Sequence, residues 1–100
     1  MAQRIRFQSF VIDAVTRTPI TVPAVCHSVI VVNQDRVNDC TLYDANAGGD
    51  GLLLPAGGQQ PFNVLPHAPT HAWPGFETTD TVVWATAIAG TGPLLAIYVV

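Results

Sequence analysis

Residues 44–51 come closest to a ligand-binding motif in this chain. Carboxylate and amide oxygens alternate there as in a calcium-binding loop, and Gly49 occupies the sixth place, where such a loop turns sharply. The fifth place is Gly48 instead of an oxygen ligand, and the twelfth is Pro55, where the loop needs a bidentate Glu. The sequence therefore predicts a flexible turn here and no metal.

Three histidines are the other candidate metal ligands. His67 and His71 are four residues apart, but Pro69 between them excludes the helix that would bring both imidazoles to one face. His27 adjoins an apolar run. We expect all three to be surface or hydrogen-bonded histidines, and we expect no cofactor.

Catalysis by a nucleophile would need a Ser or Cys beside a base and a third group that orients the base. Ser9 and Ser28, the only serines, lie in predicted strands outside any nucleophile-elbow pattern. Glu77 and Asp80 flank a predicted turn and make a poor carboxylate pair. The sequence predicts no catalytic residues, and we expect the protein not to be an enzyme.

Trp73 and Phe76 offer one aromatic platform on which a sugar could stack. They belong to residues 66–76, a proline-rich stretch that predicts a long surface loop. The same side chains could instead pin the loop to the domain or fill a pocket of a neighbouring subunit, and we prefer this second interpretation.

The composition indicates contact with other protein. Hydrophobic residues make up 49% of the chain and charged residues only 11%, against about 25% in ordinary soluble domains, and lysine is absent. A net charge of −3 gives no basic surface for a nucleic acid. The one cluster of positive charge, Arg4 and Arg6, is typical of the solvated face of an edge strand, with a docking contact as the alternative.

Two apolar stretches raise the question of a membrane or a leader segment. Polar residues interrupt the N-terminal stretch, so we do not expect a signal peptide. Residues 82–100 carry no charge and are long enough to span a bilayer, but Gly90, Gly92 and Pro93 break them in the middle. We therefore expect no contact with a membrane.

The strands that must position these residues are short and closely punctuated by Pro and Gly. Val and Thr together supply 23 residues, which favours strands over helices. The sequence predicts a single domain, residues 1–100, folded as an antiparallel β-sandwich or jelly roll of seven or eight strands. The expected strands are 3–13, 20–24, 28–33, 40–44, 52–54, 59–65, 81–88 and 94–100, the last two forming a hairpin around 89–92.

Cys26 and Cys40 are the only cysteines. If the strands on either side of residues 34–38 form a hairpin, Cys40 lies opposite residues 30–32 and Cys26 opposite Ala45, so the two cannot pair directly. We expect two buried free thiols, which is consistent with a reducing compartment.

The C-terminal run, residues 94–100, is apolar on both faces of a strand. One face should fill the core, and the other should meet a neighbouring subunit. The predicted interface residues are Arg4, Arg6, Phe7, Trp73, Phe76, Leu95, Ile97 and Val99.

Three stretches of sequence, taken in order, resemble the small β-sandwich or jelly-roll virion proteins of tailed bacteriophages that decorate or cement the head. They are Ser28-Val-Ile-Val-Val-Asn33 leading to Cys40-Thr-Leu-Tyr-Asp44, then Gly51-Leu-Leu-Leu-Pro-Ala-Gly-Gly58, then Asp80-Thr-Val-Val-Trp-Ala85 through Gly90-Thr-Gly92 into the last strand.

The resemblance implies a structural protein without cofactor or catalytic residues. It would be made in the host cytoplasm, self-associate as a trimer or dimer, bind a major capsid protein and reside in the virion. The alternative is a carbohydrate- or receptor-binding β module of a tail or head fibre that uses the 66–76 loop.

Overall fold

The computed structural model describes residues 4–24, 26, 28–64 and 79–99, and these form eight strands and no helix. The strands are β1 (Ile5–Asp13), β2 (Thr18–Pro23), β3 (Ser28–Asn33), β4 (Cys40–Tyr43), β5 (Gly51–Leu54), β6 (Gln59–Asn63), β7 (Thr79–Ala87) and β8 (Thr91–Val99).

The strands form two antiparallel sheets of four. The first sheet has the order β1-β8-β3-β6 and the second the order β2-β7-β4-β5. Only β4 and β5 are both consecutive in sequence and paired; every other connection between consecutive strands crosses from one sheet to the other. This is the strand order of a jelly roll, and the predicted fold class is confirmed.

The hairpin predicted for the last two strands is wrong, and so is the one assumed around residues 34–38. The strands β3 and β4 lie in different sheets, and so do β7 and β8. The turn after β3 is drawn toward the second sheet by Asn33, which is 1% exposed. Its Nδ2 donates to the carbonyls of Asn38, Leu54 and Pro55 at 3.0, 3.3 and 3.2 Å. After β7, Gly90 turns the chain with a φ of 63°, a conformation that favours glycine.

The core lies between the sheets and is built mainly by alternate residues of the longer strands, as the pleat requires, while β5 adds Leu54 and β6 the partly buried Phe62. Its fully buried side chains come from both sheets: Ile12, Val29, Val31 and Leu94 from the first, Ile20, Val22, Cys40 and Leu42 from the second. Tyr98 is also buried, and its hydroxyl donates to Gln8 Oε1 at 3.2 Å.

Cys26 and Cys40 are both buried and free, as expected. The hairpin register from which we argued this does not exist, since β3 pairs with β6 and β8. Burial raises the pKa of the Cys40 thiol to about 11, with a smaller contribution from the negative charge of Asp39.

The uncharged stretch considered as a membrane span falls on β7 and β8, which belong to different sheets. In the part of the chain that is described, there is no helix with the length and apolar character needed to cross a bilayer.

Candidate interaction surface

The outer face of the first sheet carries a large apolar surface, with polar side chains at Ser9 of β1 and at Gln59 and Asn63 of β6. Register places Phe7, Ile97 and Ile30 in one row across β1, β8 and β3, and Ser9, Leu95 and Val32 in the next. Val99 lies opposite Ile5, and Pro93 lies opposite Val11. We call this surface the apolar face; it comprises Ile5, Phe7, Val11, Ile30, Val32, Pro93, Leu95, Ile97 and Val99.

Exposure on the apolar face is greatest at the strand on its edge. On β1, Ile5 is 66% exposed, Phe7 68% and Val11 74%. Their neighbours Leu95, Ile97 and Val99 on β8 are half-buried, because strands flank β8 on both sides. Contiguous exposed apolar area of this kind usually marks a contact with another protein.

Four of the predicted interface residues, Phe7, Leu95, Ile97 and Val99, come together on the apolar face. Arg6 is opposite the buried Tyr98, so it lies on the other side of β1 from Phe7, and its side chain is exposed. Arg4 is exposed and precedes β1. Trp73 and Phe76 lie outside the described residues.

The predicted interface did not include the other five residues of the apolar face, which are Ile5, Val11, Ile30, Val32 and Pro93. The alternation within each strand was visible, but the surface exists only because β8 lies between β1 and β3. A signal for that order would have to come from long-range pairing, which a single sequence does not display.

On the outer face of the second sheet, Tyr43 is covered by an arginine of the same chain, whereas Leu53 is 56% exposed. Arg17 lies over the Tyr43 ring, with its guanidinium carbon 3.7 Å from the ring centroid. Its Nη1 donates to the carbonyls of Ala45 and Gly48 at 2.7 and 2.6 Å. The turn that resembles a calcium loop thus has its carbonyls turned toward a cation of the same chain.

Other candidate residues for chemistry are dispersed. Ser9 and Ser28 lie in β1 and β3, and Asp80 lies in β7. His27, His67, His71 and Glu77 fall outside the described residues. Among residues 4–24, 26, 28–64 and 79–99, no three His, Cys, Asp or Glu side chains are grouped so as to hold a metal ion.

Comparison with models of known protein families, with curated proteins and with solved structures found no match for this chain. Its function must therefore be argued from its own surfaces.

Proposed function

We propose that this protein is a structural, non-catalytic virion protein that self-associates and decorates or cements a bacteriophage capsid, with a major capsid protein as its partner. It would be made in the host cytoplasm and reside in the virion. The observation that carries the proposal is the apolar face, whose β1 side chains Ile5, Phe7 and Val11 are 66%, 68% and 74% exposed.

The apolar face supports self-association because water is a poor solvent for it. Each buried Å² of such surface contributes roughly 25 cal/mol, and docking of a second protein is the ordinary way to bury it. Charged residues, at 11% of the chain, are too few to break the surface up. A cement protein uses apolar area in this way, against neighbouring copies and the shell beneath.

The jelly-roll order is compatible with the proposal but does not carry it. Viral capsid proteins and lectins both use this architecture, so the fold leaves the sugar-binding alternative open. That alternative depends on Trp73 and Phe76, outside the described residues, and it stays a prediction. Loss of glycan binding in Trp73→Ala would support it.

The decisive experiment is sedimentation with intact particles of the virus that encodes the protein. Purified protein is mixed with particles, the pellet is washed, and bound copies are counted by quantitative mass spectrometry. We expect saturation at a large copy number that fits the symmetry of the shell. An unrelated protein of similar size controls for trapping, and absence from washed particles would refute the proposal.

Light scattering tests the premise of self-association separately. In the single chain the apolar face meets solvent, so we expect oligomers at micromolar concentration. A monodisperse monomer that binds little apolar dye would remove the main physical support for the proposal.

A further inference from the structure

The four edges of the two sheets differ in how well they are protected from pairing with another strand. An edge strand exposes unpaired backbone N–H and C=O groups, and proteins usually block them with proline, bulges or short length. The edges here are β1 and β6 in the first sheet and β2 and β5 in the second.

Three of these edges are blocked. In the β3–β6 ladder, Asn33 N–H donates to Gly58 C=O at 2.9 Å, so the backbone groups of the even-numbered residues of β6 point toward β3. The backbone groups of residue 61 therefore point outward, and this residue is Pro61, which has no N–H to offer another strand. The strand β2 contains Pro19 and Pro23 and a register shift after Ile20. The strand β5 has only 4 residues and is followed by a proline.

As far as the described residues show, the edge of β1 is open over its full length of 9 residues. Ala14 N–H donates to Gly90 C=O at 3.1 Å, which fixes the alternation of the β1–β8 ladder. The N–H and C=O groups that point away from β8 therefore belong to Ile5, Phe7, Ser9, Val11 and Asp13. None of these is a proline, and in the described part of the chain β1 pairs with β8 alone.

We propose that β1 pairs antiparallel with β1 of a second copy of this chain, about a two-fold axis at Ser9, joining two four-stranded sheets into one. The inference rests on the self-association in the proposed function and specifies its geometry. A two-fold dimer is the commonest symmetric assembly and makes each edge the partner of the other.

The register follows from which backbone groups are free. Only residues whose backbone N–H and C=O point away from β8 can form hydrogen bonds across the new junction. If the strands pair over their whole length, Ser9 lies opposite Ser9 and Phe7 opposite Val11 of the second copy. These side chains lie on the apolar face, so the junction brings together two of its most exposed residues, 68% and 74% exposed in the single chain. Such cross-strand apolar pairs are stabilising.

Charge favours a second copy in the antiparallel direction. The beginning of β1 is basic, with Arg4 and Arg6, and its last residue is Asp13. Antiparallel pairing sets the basic end of each strand beside the end of the other that carries Asp13. Arg6 and Asp13 project from opposite faces of β1, so this attraction acts between neighbouring residues and not within a directly opposed pair. Parallel pairing in register would set arginine against arginine on one face. Backbone N–H groups of Thr16 and Val15 lower the pKa of Asp13, so its charge persists in mild acid.

The test compares Ser9→Pro with Ser9→Ala. Proline removes an N–H that points outward, so the ladder with β8 stays intact and the monomer should fold. We expect Ser9→Pro to raise the dimer dissociation constant roughly 100-fold in analytical ultracentrifugation, because each copy loses a donor and leaves a carbonyl unpaired. Ser9→Ala keeps the N–H and should dimerise as the wild type does. Equal dissociation constants for the two variants would overturn the inference.

Crosslinking gives a second measurement that does not depend on how well the proline variant folds. Ser9→Cys should form an interchain disulfide on mild oxidation, because the two-fold axis places its thiols within bonding reach, while Cys26 and Cys40 are buried. Ser28→Cys, exposed on the first sheet at β3, is the matched control and should stay reduced. Equal crosslinking of both variants, or of neither, contradicts pairing through β1.

The outcomes separate this inference from the proposed function. A protein that binds particles and self-associates, but crosslinks no better at residue 9 than at residue 28, refutes the β1 junction and leaves the virion role standing. A protein that dimerises through β1 but never sediments with particles supports the β1 junction and refutes the virion role. Monomeric protein whose Phe7 and Val11 amides resist hydrogen exchange would refute the junction, because the edge is then covered within one chain.

Discussion

The outer faces of the two sheets carry similar strands and meet their surroundings in different ways. On the second sheet, an arginine lies over Tyr43 and its guanidinium bonds the carbonyls of the adjoining turn. On the first sheet, Asp13 at the end of β1 is the one charged residue that the strand registers place on the outer face, and it lies beside the apolar face. The chain thus covers part of the second sheet's outer face with its own arginine, although Leu53 on that face is 56% exposed. Among the described residues, no such arginine lies over the apolar face of the first sheet.

The largest expected effect comes from placing a charge on the apolar face. Val11→Asp puts a carboxylate where we propose burial, and an unpaired buried charge costs several kcal/mol. We expect the dissociation constant of the oligomer to rise more than about 1,000-fold, measured by analytical ultracentrifugation.

Val37→Asp is the matched control for that substitution. Val37 is 84% exposed and Val11 74%, but Val37 lies in the turn after β3, away from the apolar face. Association should be unchanged in Val37→Asp. If both variants weaken association equally, the effect comes from net charge, and the apolar face is not the surface through which the protein associates.

The alternation that defines the apolar face was predictable within β1. The sequence places Ile5, Phe7 and Val11 on one side of a strand and Arg6 and Gln8 on the other, and the structure agrees. Period-2 alternation is a local property, so one strand suffices to reveal it.

The partners of each strand were not predictable, and this explains the two wrong hairpins. Polar turn residues signal that the chain reverses, but the same residues serve a hairpin and a crossing between sheets. What decides the case after β3 is the burial of Asn33 and its bonds to Leu54 and Pro55, residues that follow it by more than twenty positions. Only the folded chain brings those carbonyls to it.

An intermediate effect is expected from uncovering the second sheet. Arg17→Ala removes the guanidinium over Tyr43 and two donors to backbone carbonyls, in a half-buried site. Cation–π contacts and charge-assisted hydrogen bonds of this kind suggest a loss of about 1–2 kcal/mol in the free energy of unfolding, measured by urea denaturation.

Arg36→Ala is the control, because Arg36 is exposed in the turn after β3. It should change the free energy of unfolding by less than about 0.5 kcal/mol. Apolar-dye binding should rise for Arg17→Ala only. If dye binding by Arg17→Ala does not rise, then Arg17 does not shield apolar surface on the outer face of the second sheet.

The smallest expected effect is a loss of stability at low pH, and it should come from two turns that follow strands of the first sheet. Asp13 and Asp35 have pKa values below the ordinary value of 3.8, because backbone N–H groups of Thr16 and Val15, and of Val37 and Asn38, donate to their carboxylates. Since folding lowers these pKa values, the two carboxylates stabilise the fold at pH values above about 3.8, and that contribution is lost as the pH falls through the folded values.

Thermal unfolding followed from neutral pH to about pH 2.5 would measure this loss. Asp13→Asn and Asp35→Asn should each flatten the acid limb of the profile, since an amide does not titrate. The double variant should flatten the acid limb more than either single variant, because the two turns are separate. An acid limb as steep in all three variants as in the wild type would show that the acid sensitivity does not come from these turns of the first sheet.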